Sequence, residues 1–230
     1  MRRALVISLA SLLIVPVLAV AQSGPAISFG VMAGGAVTSF DGLNTASKDL
    51  FNGTATVKSR TGFLAGGYLR ASLTSMFSVQ PEVYFIQKGA DITFGGTGQA
   101  AGVFKTAMSF VEVPVLLHVN LMTTGSVRPF IVVGPSFAQR IGCSLDLSGN
   151  SLSKPLKVDC DKIPDGTANG YQADIYKKSD MGGIVGIGVG TSKFAVQGRY
   201  SRGFTTINSD QSTGQKGNTT AFSLVLSIGM

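Results

Sequence analysis

Most of the chain alternates between apolar and polar residues with a period of two, the pattern that predicts half-buried β-strands. Eight stretches show it, each about as long as a tilted strand that crosses a membrane, ~9–11 residues. They are residues 27–40, 61–73, 77–88, 106–120, 127–140, 181–190, 193–203 and 219–229. One face of each stretch is mostly Val, Ile, Leu and Phe, and the other is mostly Gly, Ser, Gln and charged residues.

The connections between these stretches alternate in length. The links at residues 41–60, 89–105, 141–180 and 204–218 are long, and those at 74–76, 121–126 and 191–192 are short. Long outer loops and tight periplasmic turns are typical of transmembrane barrels, and closure leaves no unpaired strand edge in hydrocarbon. We therefore predict an all-β fold, an eight-stranded antiparallel up-and-down transmembrane β-barrel with both termini on the periplasmic side.

The N-terminus has the pattern of a secretory signal peptide. Arg2 and Arg3 precede the apolar run of residues 4–20, and Ala19-Val20-Ala21 supplies a small-x-small cleavage site. We predict a cleaved signal peptide at 1–21 and one barrel domain at 22–230. A retained helical anchor is the alternative, but the run is short for one.

The composition favours a membrane barrel over a soluble domain. The chain is 44% hydrophobic, contains 30 glycines and is only 13% charged, where a soluble domain has about 25% charged residues. Two cysteines, Cys143 and Cys160, share one hydrophilic segment, which in an exported chain predicts a disulfide. A metal site is the weaker interpretation, since the chain has a single His, so no metal or cofactor is expected.

Three segments resemble the PorT-like family of small outer-membrane β-barrel proteins, which is common in Bacteroidetes. They are Phe77-Ser78-Val79-Gln80-Pro81-Glu82-Val83-Tyr84, Phe110-Val111-Glu112-Val113-Pro114-Val115-Leu116-Leu117, and Arg128-Pro129-Phe130 followed by Val133-Gly134-Pro135. The resemblance implies a porin-like barrel in the outer membrane of a Gram-negative bacterium. Some members are linked to protein secretion, but the resemblance implies no chemistry.

The predicted inward face carries charged residues of both signs. The set is Arg70, Glu82, Lys88, Glu112, Arg128, Arg140 and Arg199. Because buried charges are tolerated when they are paired, we expect an ion-paired network that fills the lumen. A gated polar path is the alternative interpretation. Pro81, Pro129 and Pro135 cannot donate to a strand ladder, so we expect them near strand ends or bulges.

His118 is the only candidate base for a hydrolase, with Ser109 and Glu112 on the same predicted strand. Ser109 is nine residues away, roughly 30 Å along a strand, and lies on the opposite face. We therefore expect no enzyme and a histidine that is paired or faces the periplasm. A lipid A-modifying enzyme is the least favoured alternative.

The expected partners follow from the predicted location. The outer surface should contact outer-membrane lipid and lipopolysaccharide, and the sequence leaves open an extracellular or periplasmic protein partner. No nucleic-acid partner is expected. The chain has no Trp. Anchoring at the membrane interface is therefore expected from Phe29, Phe63, Phe77, Tyr84, Phe194, Tyr200 and Phe222. The leading hypothesis is a structural or surface-interaction scaffold, and the second is a small channel for ions or apolar solutes.

Overall fold

A computed structural model describes residues 26–41, 56–95, 101–149, 154–159, 178–205 and 218–229. The predicted signal peptide lies outside these ranges. The described residues form nine strands, which are β1 (Ala26–Asp41), β2 (Thr56–Ser72), β3 (Phe77–Phe94), β4 (Gly102–Asn120), β5 (Arg128–Gly149), β6 (Leu156–Asp159), β7 (Ser179–Gly190), β8 (Phe194–Gly203) and β9 (Asn218–Gly229). Among these residues there is no helix with the length and apolar character needed to cross a membrane.

Eight of the strands close into a barrel. Each pairs antiparallel with its neighbours in the order β1-β2-β3-β4-β5-β7-β8-β9, and β9 pairs back with β1. The short strand β6 pairs only with the far end of β5, from Ser144 to Leu147. The predicted eight-stranded up-and-down barrel is confirmed, and β6 is an addition that the alternation pattern did not reveal.

The outer surface of the barrel is a continuous apolar belt. Outward-facing residues on all eight strands are apolar or glycine, apart from Tyr200, over the half of the barrel that carries the short turns. Polar outward residues end the belt at one common level, namely Ser39, Thr61, Gln87, Ser109, Gln139, Ser179, Arg202 and Thr220. Four to six outward positions per strand correspond to a band about 25 Å tall, the usual height of the apolar band of an outer-membrane barrel.

Beyond the belt, β2, β3, β4 and β5 continue as a raised sheet that β6 extends. Residues 56–60, 89–94, 102–105 and 141–149, predicted as loops, are therefore strand. Their outward residues are polar, which is why the pattern predicted loops there. The backbone pairing nevertheless continues beyond the apolar belt. A one-residue shift of register marks the transition, between Ser59 and Leu64 on β2 and at Ser109 and Phe110 on β4.

A row of alternating charges crosses the raised sheet on its outward face. Lys58 lies opposite Asp91, Asp91 opposite Lys105, Lys105 opposite Asp146, and Asp146 opposite Lys157. Cross-strand neighbours of opposite charge each stabilise a sheet by roughly 0.2–1 kcal/mol. The row therefore supports the part of the sheet that no membrane surrounds.

The prediction that the prolines lie near strand ends or bulges is correct for only one of the three. Pro129 is the second residue of β5, as expected, but Pro81 and Pro135 lie inside their strands at positions without a register shift. The pairing is interrupted beside Pro81 between β2 and β3, beside Pro114 between β3 and β4, and beside Pro135 between β4 and β5. The barrel accommodates these prolines by omitting ladder bonds while it keeps the register.

Candidate functional site in the barrel lumen

The inward face holds a buried charge cluster at mid-height. Arg199 on β8 donates two hydrogen bonds to Glu82 on β3, from Nη1 to Oε2 at 2.6 Å and from Nη2 to Oε1 at 2.7 Å. Gln80 Nε2 donates to Glu82 Oε1 at 2.5 Å, and Arg70 Nε donates to Gln80 Oε1 at 2.8 Å. Glu82 is 3% exposed and Arg199 is 4% exposed, so this pair is isolated from water.

A second ion pair lies on the side of the raised sheet. Lys88 Nζ is 2.9 Å from Glu112 Oε2, and both side chains are buried. The same ammonium lies 5.3 Å from the centre of the Phe110 ring. Tyr84 is buried and lies directly opposite Glu112 in the ladder between β3 and β4. Tyr84 was expected at the membrane interface, and that expectation is wrong because the side chain points inward.

The structure places the remaining predicted network residues apart from these pairs. Arg140 is buried on the inward face of β5, whereas Arg128 begins β5 at the turn end and makes no ion pair with any described residue. Asp180, the last residue of the long link predicted at 141–180, is instead buried near the start of β7. Its carboxylate accepts hydrogen bonds from Thr219 Oγ1 at 2.7 Å and from the Thr205 N–H at 3.2 Å. The alternation of β7 extends to Asp180 and was the signal that could have located it.

Apolar side chains fill the lumen on both sides of the charges. The larger cluster, on the side of the raised sheet, is built from residues such as Phe40, Met108 and Phe110, and the smaller one, toward the turns, is Leu116, Phe130, Val132 and Ile184. Leu116 and Val132 are 0% exposed, so a water-sized probe does not reach them. The lumen is therefore filled by apolar side chains as well as by the expected charges.

Glycines on β7 provide the space for this packing. A Cβ on Gly188 would lie 2.5 Å from the Phe130 ring and 2.7 Å from Gln197 Cβ. A Cβ on Gly186 would lie 2.9 Å from Val132 and 3.1 Å from Arg199 Cγ. These glycines leave room for Phe130, Val132 and the stem of Arg199 to pack directly against the β7 backbone.

His118 is buried at the turn end of the lumen. Its ring stacks on Phe130 with centroids 4.4 Å apart, and neither ring nitrogen has a hydrogen-bond partner among the described residues. The prediction of a paired or periplasm-facing histidine is wrong, because the side chain is 1% exposed and packs as a flat ring. Ser109 and Glu112 do not contact it, so no hydrolase triad is assembled in this part of the chain.

The two cysteines are only partly described. Cys143 is buried on β5, and Cys160 lies outside the described residues. Asp159, which precedes Cys160, is paired with Ser144, which follows Cys143. The disulfide stays a prediction that this register favours. Over the described ranges, no group of three or more His, Cys, Asp or Glu side chains is arranged to hold a metal ion.

These features, an apolar outer belt around a barrel with a polar interior, match a known family. The model of the outer membrane protein beta-barrel domain matches residues 16–209. The chain belongs to this family. Its place is therefore the outer membrane of a Gram-negative bacterium. A search of curated proteins finds no match.

Several solved structures are similar to this chain. Ail, the attachment invasion locus protein of Yersinia pestis, is 11% identical, with 89% of this chain and 99% of Ail covered and a TM-score of 0.39. Neisserial surface protein A is 11% identical over 88% of this chain and 96% of its own, with a TM-score of 0.43. OprG from Pseudomonas aeruginosa is 14% identical over 91% and 98%, with a TM-score of 0.40. No function transfers to this chain at these identities.

Proposed function

We propose that this protein is a non-enzymatic scaffold of the outer membrane with a closed lumen, which presents its raised sheet and loops outside the cell. The bidentate Glu82–Arg199 pair, buried in a lumen that apolar side chains also fill, carries the proposal. Inward charges in an open channel are wetted, whereas these are 3–4% exposed. The absence of contact between His118 and Ser109 or Glu112 supports a role without catalysis.

The proposal includes the orientation and the narrower family. Short turns in the periplasm, long connections outside and periplasmic termini follow the usual arrangement of such barrels. The segments around Pro81, Pro114 and Pro135 support membership of the PorT-like group of Bacteroidetes. Lipopolysaccharide around the belt, and a protein that binds the outer loops, are the partners we propose.

Single-channel recording of the refolded protein in a planar bilayer tests the closed lumen. We expect stable insertion, seen as anomalous migration of the unboiled protein on a gel, without conductance. Labelling of single cysteines, placed in a Cys143→Ser, Cys160→Ser background at Ser192 in a short turn and at Thr93 in the raised sheet, tests the orientation in intact cells. Only the Thr93→Cys variant should react with a membrane-impermeant reagent. Steady conductance would overturn the scaffold, and labelling at Ser192→Cys alone would reverse the orientation.

A gated channel is the second candidate, and the position of Lys88 favours it. Lys88 borders a cavity of about 50 Å³ together with Arg60 and Met108, and another of about 10 Å³ together with Glu112 and Asp180. Lys88 is the residue that lines both spaces, so a gated path would require its side chain to move. If the Lys88–Glu112 pair acts as a gate, Glu112→Ala produces discrete openings. If it is part of the packing, Glu112→Ala lowers stability and the bilayer stays silent.

A further inference from the structure

The apolar belt contains a groove of about 700 Å³ on the outer surface of β7, β8, β9 and β1, which Ile131 of β5 also lines. Gly198 on β8 and Gly35 on β1 form its floor, on either side of Leu224 in the same register row. A Cβ on either glycine would meet no atom within 4 Å. Ile187 and Phe222 stand beside the floor as walls and are 65% and 64% exposed. The groove is thus a depression in a surface that elsewhere carries branched and aromatic side chains.

The groove leads toward the end of the belt, where a basic residue lies. Tyr200 and Phe222 pack with ring centroids 4.8 Å apart at this end. Arg202 is the next outward residue on β8 after Tyr200, and it is one of the polar residues at which the belt stops. A tyrosine followed by an arginine is the arrangement that suits the boundary between hydrocarbon and headgroups.

We infer that this groove binds a hydrocarbon chain of a membrane lipid with an anionic, phosphate-bearing headgroup, and that Arg202 contacts the headgroup. The lining is almost entirely carbon, and the belt places it in the bilayer, where acyl chains are the available apolar ligand. Its volume lies within the roughly 300–1,000 Å³ of ligand sites. The inference deepens the proposed lipid partner and rests on the proposed membrane barrel; the outer leaflet as its location rests on the proposed orientation.

The lack of Trp in the chain makes the inference directly measurable. Phe222→Trp places the single Trp of that variant in the groove, and Phe137→Trp places one in the same belt outside the groove, at a position 46% exposed. Each variant is refolded into phosphatidylcholine vesicles that contain dibrominated phosphatidic acid or, in parallel, dibrominated phosphatidylcholine. Bromine quenches the Trp, so the dependence of quenching on lipid fraction gives the relative affinity at each site. Both leaflets contain the probe, and the result does not depend on orientation.

At Phe222→Trp we expect brominated phosphatidic acid to compete about fivefold better than brominated phosphatidylcholine, the factor for about one basic side chain at an anionic surface. At Phe137→Trp the two lipids should be equal. Arg202→Gln should remove the preference. Gly35→Leu with Gly198→Leu should reduce quenching by both lipids in the groove and leave the control position unchanged, since the space at both glycines is open.

Equal quenching by the two lipids at both positions would overturn the inference. The groove would then hold the same unselected lipid as the rest of the belt. Loss of quenching at Phe222→Trp alone as the protein-to-lipid ratio rises, together with a cross-linked dimer, would assign the groove to a second copy of the chain. Failure of the wild-type protein to insert into any vesicle, judged by its gel mobility, would instead contradict the membrane barrel itself.

Discussion

Removing one partner of the Glu82–Arg199 pair tests whether the lumen is closed to water. Glu82→Ala leaves the Arg199 guanidinium, which is 4% exposed, without the carboxylate that accepts two of its hydrogen bonds. It also removes the acceptor of Gln80 Nε2. Breaking a buried ion pair in this way typically costs about 3–5 kcal/mol. We expect Glu82→Ala to lower the free energy of unfolding by that amount.

The matched control replaces both partners. In Glu82→Leu, Arg199→Met no charge is left unpaired, and the apolar side chains have similar volumes, so we expect stability within about 2 kcal/mol of wild type. Urea unfolding in lipid vesicles, followed by the fraction that migrates as folded barrel, measures both variants. If Glu82→Ala costs less than about 1 kcal/mol, water reaches Arg199 and the lumen is open. An equal loss in the single and double variants would show that the pair contributes through packing alone.

Three further changes test other parts of the structure in the same unfolding assay. Gly188→Ala should cost about 1–3 kcal/mol, because its Cβ overlaps the Phe130 ring, whereas Gly198→Ala should be neutral within about 0.5 kcal/mol; equal costs would contradict the interior packing. Reduction of the wild type should remove roughly 3 kcal/mol and leave Cys143→Ser, Cys160→Ser unaffected; a wild type insensitive to reductant has no disulfide. His118→Phe should preserve stability or raise it by about 1 kcal/mol and leave lipid A unchanged, because neither buried ring nitrogen is hydrogen-bonded; a clear loss would reveal a partner for the ring.

The strand pattern predicted the barrel because a membrane imposes a simple rule on it. Outward residues of the belt are apolar or glycine apart from Tyr200, so every second residue is apolar from Phe77 to Phe85 and from Phe222 to Ile228. Above the membrane the rule no longer holds. Outward residues such as Lys105 and Asp146 are polar there, and the same strands resembled loops.

The alternation of apolar and polar residues could not predict which inward side chains pair with each other in the lumen. The alternation placed Glu82 and Arg199 on the inward face. They are 117 residues apart in sequence, so the pattern gave no reason to pair them. Which strands face each other across the barrel, and at which height, depends on closure and stagger. The groove could have been predicted from the sequence, since the alternation also assigns Gly35 and Gly198 to the outward face. Glycines at these positions leave depressions in a row of otherwise large side chains.

The buried charges also help to fix the register of the strands, an effect that a measurement of stability does not detect. Inside hydrocarbon, an apolar residue gains little from facing the lumen instead of the lipid, so apolar side chains alone specify the register weakly. A slip of one residue turns every side chain of a strand to the other face. For β3 or β8 this slip would expose Glu82 or Arg199 to lipid, at up to about 2–4 kcal/mol for an arginine at the midplane. The charges therefore contribute to the choice of register, together with the buried Lys88 on β3 and Gln197 on β8, which the same slip would turn to the lipid.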